Sequence, residues 1–319
     1  MSSPLLQLNH LFKTFHESGV TVEAVRDVSL TLPAGTKLGI IGESGSGKST
    51  LAKLILGIEK PTSGEILFEG QQVGTPLKKD RKNFRKSCQI IMQNPFESFD
   101  PLQKIRTALF TVMRLYQKGL TRQQTEDLCI QTLEQYGLTP ARDYLNRYPH
   151  QLSGGQLQRI AIIRGMIPQP KLLIADEAVS MLDVSVRADI INLFDQVTRS
   201  NDTSLIFISH DILTTAYLSD YICVMYLGEV VEYGPASEIL QAPIHPYTRL
   251  LISCCGDLSD QIEPIHSGIS AGRLSGYECR FAGRCPDCSP LCQNHPELLE
   301  VSPEHLVLCS GCIDLHNGI

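Results

Sequence analysis

The chain of 319 residues has no tryptophan and no excess of positive charge; its net charge is -6. That balance argues against a general nucleic-acid binder. One basic run exists, at Lys78, Lys79, Arg81, Lys82, Arg85 and Lys86, and it reads as a solvated helical face. No stretch of about 18 consecutive apolar residues occurs, so the chain is not expected to span a membrane by itself. The opening "MSSPLLQLNHLFKTF" has no charged leader, apolar core and cleavage site, so it does not read as a secretory signal. A chain that stays in the reducing cytoplasm has little use for a disulfide framework. Its eleven cysteines therefore need another reading, and six of them lie between Cys279 and Cys312.

What is present is an α/β alternation. Residues 1–75 read mostly as strands, because "LLQLNHLFKTF" and "AVRDVSLTL" alternate apolar and polar positions. "TKLGIIG" is a short apolar strand that ends in a glycine loop. "GKSTLAKLILGI" has helical spacing at Leu51, Leu54, Ile55 and Ile58, and Pro61 and Gly64 are expected to stop it. Residues 101–150 read as a polar helical insertion with apolar positions at Ala108, Leu109, Met113 and Leu115. From Leu152 to about Gly228 the alternation resumes: a helix, the strand "KLLIADE", the helix "RADIINLFDQV", the strand "SLIFISH", a short helix and the strand "YICVMYLGEVV". Beyond about Pro235 the chain turns loop-rich, with much proline, glycine and cysteine, as a small appended module would be.

"GESGSGKS", from Gly42 to Ser49, fits G-x-x-x-x-G-K-[ST] at every defined position, after a strand and at the start of a helix. Successive backbone N–H groups in such a loop converge on phosphate oxygens, and the helix N-terminus adds positive potential. The phosphate-contacting run is Gly42, Ser44, Gly45, Ser46, Gly47, Lys48, Ser49 and Thr50. Gly45 and Gly47 permit the tight loop, Lys48 reaches the β- and γ-phosphates, and the Ser49 hydroxyl coordinates Mg²⁺. "KLLIADE" ends in an acidic pair. Asp176 can hold the Mg²⁺ shell, and Glu177 can point at an attacking water as general base.

A second bare helix start follows. Ser153, Gly154, Gly155 and Gln156 precede a helix with apolar positions at Leu157, Ile160, Ala161 and Ile163. "LSGGQLQR" resembles the signature motif of the ATP-binding cassette (ABC) ATPases. Other motifs match in that family's order: the glycine loop, Gln93 in "IIMQNP", "LLIADE", "SMLD" with Asp183, and His210 in "ISHD". The resemblance covers roughly residues 5–255. It implies an α/β fold: an ABC-type P-loop NTPase core with an antiparallel β subdomain and a helical subdomain, followed by a small Cys-rich C-terminal module. It also implies a head-to-tail pair of cassettes in which Ser153, Gly154 and Gly155 contact the γ-phosphate of ATP held by the partner. By resemblance, His210 contacts the γ-phosphate, Gln93 senses Mg²⁺, Asp183 lines the interface, and Phe15 stacks on adenine. Two departures stand out: Ala178-Val179 replaces the usual Pro-Thr, and Gly165 stands where alanine is usual.

"IHPYTRLL" and "CRFAGRCPDCSPLC…HLVLC" resemble the oligopeptide/dipeptide/nickel importer branch of that family. The branch implies ATP hydrolysis that energises import of peptides, with nickel or metal chelates as an alternative cargo; a soluble, non-transport ABC ATPase and an iron–sulfur redox protein are rival readings from different classes. It implies a second, different ATPase subunit, two membrane permease subunits and an extracytoplasmic binding protein, with this chain peripheral on the cytoplasmic face of the inner membrane. "NPFESFDPL" would meet the permeases. The expected division is 1–240 for the nucleotide-binding domain, with a helical subdomain at about 94–165, and 241–319 for the extension.

The cysteines leave alternatives open. Spacing shows Cys285 with Cys288 and Cys309 with Cys312, near a zinc-ribbon pattern. The family resemblance instead selects Cys279, Cys285, Cys292 and Cys309 for a [4Fe–4S] cluster. A third reading is reduced thiols with no metal. Cys88, Cys129, Cys223, Cys254 and Cys255 are expected to be core or surface thiols.

Overall fold

A computed structural model describes residues 4–17, 19–74, 78–254, 276–309 and 311. In chain order the elements are β1 (Leu6–Glu17), β2 (Val20–Leu32), β3 (Lys37–Ile41), α1 (Lys48–Ile55), β4 (Ser63–Phe68), β5 (Gln71–Gln72), α2 (Lys78–Ser87), β6 (Cys88–Ile91), α3 (Ile105–Tyr116), α4 (Arg122–Gln135), α5 (Ala141–Asn146), α6 (Gly154–Met166), β7 (Leu172–Asp176), α7 (Val184–Ser200), β8 (Ser204–Ser209), α8 (Ile212–Leu218), β9 (Tyr221–Tyr226), β10 (Glu229–Pro235), α9 (Ala236–Gln241), α10 (Pro246–Ser253), β11 (Leu298–Ser302) and β12 (His305–Leu308). Two compact units result. One is built on Pro33–Thr36 and Gln72–Ile208, the other on Leu6–Leu32, Lys37–Gln71 and the chain from Ser209 onward. Among the described residues no helix is long and apolar enough to cross a membrane.

In the second of these units, β1 lies between β2 and β4, antiparallel to both. The period-2 pattern does its work here. Leu6, Leu8, Val28, Leu30 and Leu32 all turn inward and are buried. A second set of strands runs in the order β3, β9, β10, β12, β11. β3 is parallel to β9 and buried at every position, as the continuous apolar run "LGII" requires. In the other unit β6, β7 and β8 are parallel neighbours, with Leu172, Leu173, Ile174 and Ala175 buried. Here α6 buries Leu157, Ile160, Ala161 and Ile163, the stripe that its spacing predicts.

Four local expectations are revised. First, "YICVMYLGEVV" is not one strand but the hairpin β9–β10. Leu227 and Gly228 both adopt positive φ, 45° and 91°, which a tight two-residue turn matching the strand twist demands. Second, α1 stops before Pro61: Gly57 sits at φ 64° just past the C-cap Leu56, so Ile58 lies outside the helix and is exposed. Third, Leu115 is exposed, whereas Ile105 and Phe110 join Leu109 and Met113 on the buried face of α3. Fourth, the residues beyond Pro235 are not all loop: β12 pairs with β10, at Val307 with Glu232 and Leu306 with Tyr233, so the tail extends a sheet.

That pairing carries a buried polar network. His305 on β12 meets Glu232 on β10 at 2.8 Å through Nε2 and Glu238 of α9 at 3.2 Å through Nδ1. Glu232 also accepts the N–H groups of Ile244 and His245, at 2.8 and 3.0 Å. Burial alone would lower the His305 pKa. The two carboxylates outweigh burial, and the imidazole stays protonated above its ordinary range. A raised folded-state pKa gives stability that is complete below the unfolded value and lost as pH climbs through the folded one. The melting temperature should therefore decline as pH rises from about 6.5, the ordinary histidine value, and should decline less steeply in His305→Gln, as read by circular dichroism.

Candidate nucleotide site

The phosphate loop grows from β3. Ile41 delivers the chain to Gly42, whose φ is 153°. A Cβ at Gly42 would lie 2.1 Å from the Met225 carbonyl oxygen, and one at Gly47 (φ 100°) 2.2 Å from that of Ala24. Only glycine fits either position. Ser46 N–H donates to the Glu43 carbonyl at 3.1 Å, and the Ser46 carbonyl accepts Gly228 N–H at 2.9 Å. Lys48 is buried, and its Nζ donates to the carbonyls of Gly42 (2.7 Å) and Glu43 (2.8 Å) and to Ser46 Oγ (3.3 Å). α1 carries no acidic residue in its first turn, so its N-terminal N–H groups keep their positive potential. Ser44, Gly45 and Ser49 are exposed at the mouth of this loop.

Phe15 belongs to the same unit. It is half-buried on β1, opposite Val22, with Lys13 Nζ 4.7 Å from its ring centre. His210, at the end of β8, is exposed. The turn after it is fixed by Asp211, whose side chain accepts the N–H groups of Leu213 and Thr214 at 3.1 and 3.2 Å.

The other unit holds the acidic pair and the signature segment. β7 ends in half-buried Asp176, and Glu177 follows at φ 48°, a left-handed conformation unusual for a non-glycine residue. Such geometry persists only when neighbours over-determine it. Here Glu177 N–H donates to Ile208 O at 3.0 Å, while its carbonyl accepts both Ser180 N–H (3.1 Å) and Ser180 Oγ (2.9 Å). Gln93 Nε2 in turn donates to Ser180 Oγ at 3.1 Å. Gln93 and Glu177 are thus linked through one hydroxyl. Ala178 and Val179, the departures after the glutamate, are buried.

Ser153 caps α6. Its Oγ accepts Gln156 N–H at 3.3 Å and Gln156 Oε1 accepts Ser153 N–H at 3.1 Å, a reciprocal capping box. The S-x-x-Q spacing in the sequence carries that signal. Asp183 stands at the N-cap of α7 but makes no side-chain cap bond, and is exposed. A Cβ at Gly165 would sit 2.8 Å from Ile91 Cδ1, so β6 has taken up the space an alanine would fill.

Ser180, Glu43, Tyr247 and Arg284 were not singled out by motif spacing, yet each touches the proposed machinery. Tyr247 Oη accepts Glu43 N–H at 2.8 Å, and Arg284 reaches the Glu43 carboxylate with both terminal nitrogens at 2.9 Å.

The cysteine expectations are met only in part. Cys279 and Cys285 are half-buried, Cys292 and Cys309 buried, and Cys279 N–H donates to Cys292 O at 3.2 Å. Burial pushes the Cys279 thiol up to about 11, with Cys292 and Cys309 adding to it; burial likewise pushes Cys285 up to about 12, with Cys309 and Cys279 among the contributors. Among the described residues no three metal-binding side chains are grouped so as to hold an ion. Cys312, needed for the zinc pattern, and Cys255 lie outside the described residues. Cys88, Cys129 and Cys223 are buried and their thiols pushed up to about 12, each chiefly by burial: they are core thiols, while Cys254 is exposed.

Residues 25–180 match the family described as ABC transporter, and residues 231–292 match the oligopeptide/dipeptide transporter C-terminal region. The chain is 39% identical over 292 residues to the di/tripeptide transport ATP-binding protein DppF of Pseudomonas aeruginosa, covering 90% of each chain. It is 38% identical over 301 residues to the oligopeptide transport ATP-binding protein OppF of Salmonella typhimurium, covering 92% of this chain and 90% of that one. It belongs to the ABC transporter ATP-binding proteins, in the oligopeptide/dipeptide branch. The fold agrees. The ATP-binding cassette MJ0796, solved as a dimer in a post-hydrolysis state with ADP and Pi, superposes with a TM-score of 0.65 at 24% identity, covering 72% of this chain and 98% of that one. The cbiO1 subunit from Clostridium perfringens gives 0.66 at 25% identity, covering 81% and 100%. The chain is an ATP-hydrolysing transport ATPase with an ABC ATPase fold.

The two signature glycines should behave differently on substitution. A Cβ at Gly155 would lie 2.3 Å from Val186 Cγ1 of α7, whereas one at Gly154 has only Leu182 Cδ2 at 3.8 Å. Gly155→Ala is expected to cost about 1–3 kcal/mol through overpacking. Gly154→Ala should leave the urea midpoint close to that of the parent.

Proposed function

We propose that this chain is the ATPase subunit of an importer for di- and oligopeptides. Within it, Gly42–Thr50 cradle the phosphates, Asp176 and Ser49 hold Mg²⁺, and Glu177 is the general base. His210 and Gln93 report on the γ-phosphate and the metal, and Phe15 stacks on adenine. The observation that carries the reading is the held geometry of Glu177: a left-handed residue at the end of β7, tied to Ile208, Ser180 and, through Ser180, Gln93. A base fixed in this way can be oriented toward a water without rearranging. The reaction is in-line attack of that water on the γ-phosphorus, with release of ADP and phosphate. Lys48 offsets charge on the phosphate oxygens, and Mg²⁺, which Asp176 and Ser49 would hold, would add to that charge compensation.

Ser153, Gly154 and Gly155 are assigned to a partner cassette's ATP. The open space beside Gly154 supports this, because packing among the described residues gives no reason for a bare residue there. The partner would be a second ATPase subunit that forms a head-to-tail pair with this chain, with Asp183 at the interface. Two permeases and an extracytoplasmic binding protein complete the complex, and the chain sits on the cytoplasmic face of the inner membrane. The peptide names of the relatives above favour peptides over nickel. A nucleotide-binding domain over 1–240, including the helical subdomain at about 94–165, and an extension over 241–319 are part of the same proposal.

In the assembled transporter, Glu177→Gln should retain ATP binding and lower turnover by about 10²–10⁴-fold, the range of a lost general base. Lys48→Ala should instead weaken binding. Unchanged turnover in both would sink the assignment, as would full turnover in Gly154→Ala.

The motif resemblance alone points to a cysteine-ligated [4Fe–4S] site at Cys279, Cys285, Cys292 and Cys309, with Zn²⁺ as the alternative; the described residues show no group that would hold either. Such a group would be structural or regulatory and takes no part in hydrolysis. Anaerobic purification should yield a brown protein with iron and sulfide in equal amounts. Stoichiometric zinc in a colourless protein would decide for the alternative, and neither metal would leave reduced thiols.

A further inference from the structure

The phosphate loop contains an acid. Glu43 is the second residue of Gly42–Ser49, and a carboxylate there opposes the binding of a polyanion. Its surroundings answer that problem. Arg284 meets the carboxylate fork to fork, Nη1 to Oε2 and Nη2 to Oε1, both at 2.9 Å. The pair is only partly exposed, 24% on the arginine side and 43% on the glutamate side. The Glu43 backbone is held as well. Its N–H donates to Tyr247 Oη at 2.8 Å, and its carbonyl accepts Ser46 N–H at 3.1 Å and Lys48 Nζ at 2.8 Å.

Both partners come from the residues after the cassette motifs, and both are anchored. Tyr247 is fully buried on α10. Its ring lies 4.6 Å from Tyr226 and 5.5 Å from Phe281, and its own N–H donates to His245 Nδ1 at 3.1 Å. Phe281 is 2% exposed and meets Tyr226 edge-on at 5.2 Å. Three residues on, Arg284 N–H donates to Phe281 O at 2.9 Å, and the guanidinium carbon stands 5.7 Å from the Tyr226 ring and 5.8 Å from the Phe281 ring. The aromatic wedge thus fixes where the guanidinium can reach.

We propose that Arg284 and Tyr247 are positioning residues of the phosphate loop: Arg284 cancels the Glu43 charge, and Tyr247 fixes the Glu43 peptide so that Ser44–Thr50 face the nucleotide. The C-terminal segment therefore sets nucleotide affinity without touching nucleotide. This rests on the reading of Gly42–Ser49 as the ATP loop, and the test separates the two.

Mg-ATP affinity is measured by isothermal titration on the full-length chain, with the melting temperature of each variant. Arg284→Met should weaken affinity about tenfold, one decade for loss of a partly screened charge pair. Adding Glu43→Gln to Arg284→Met should restore it to within about threefold, because the offending carboxylate is then gone. A merely structural arginine predicts no such rescue. Tyr247→Phe should weaken affinity without rescue by Glu43→Gln, since its role is geometric. If Arg284→Met lowers the melting temperature by more than ~5 °C, a clear loss of stability, Arg284→Lys is read instead. It keeps the charge but loses the fork, so a smaller deficit and the same rescue are expected. Parent-like affinity in Arg284→Met, or a double variant no better than the single, overturns the proposal. Lys48→Ala is the control: if it too binds like the parent, the loop assignment itself fails; if it alone loses ATP, only the Arg284 role fails.

Discussion

The structure depends on how closely backbone can approach backbone around the phosphate loop. Gly42 lies against Met225 O and Gly47 against Ala24 O, with no room for a Cβ at either point. These contacts fold the loop onto the β9–β10 hairpin and β2. The loop is braced from behind through its carbonyls. Lys48 Nζ on Gly42 and Glu43, and Gly228 N–H on Ser46, supply that bracing.

Much of this was legible in the sequence. The glycine loop, the apolar run before Asp176 and the stripe on α6 are local patterns, and period and spacing specify them without tertiary information. The hairpin turn at Leu227-Gly228 was missed because leucine is a poor candidate for positive φ, and the glycine alone did not mark the break. The early end of α1 is hidden in the sequence because Gly57, the left-handed stop, lies inside an apolar run. Harder still were Tyr247 and Arg284. They lie more than 200 residues from Glu43, and no spacing rule connects a tyrosine on α10 to one particular N–H. The motif at Gly42–Ser49 even hides Glu43, because that position is unconstrained in the pattern.

The signature segment shows how local and intermolecular demands share residues. Ser153 and Gln156 close a capping box that any isolated helix would welcome. The same serine is proposed to face a partner's nucleotide. Because the cap is already formed, little ordering remains to be done when a partner arrives, and an interface of this kind loses less entropy on closing. Gly155, by contrast, is bare for reasons internal to the fold, since Val186 occupies its space. Two adjacent glycines in one motif therefore have different causes.

The turn at Leu227-Gly228 has a consequence for how the chain could change over time. Tight hairpin turns are ordinarily places where extra residues are accepted. Here Gly228 N–H holds Ser46, its carbonyl receives Arg26 N–H, and the Leu227 carbonyl receives the Arg280 guanidinium. Three distant stretches of sequence meet at these two residues. A length change there would disturb all of them at once, so variation in this chain has to be accommodated elsewhere, and a surface turn is held to the constancy of a core position.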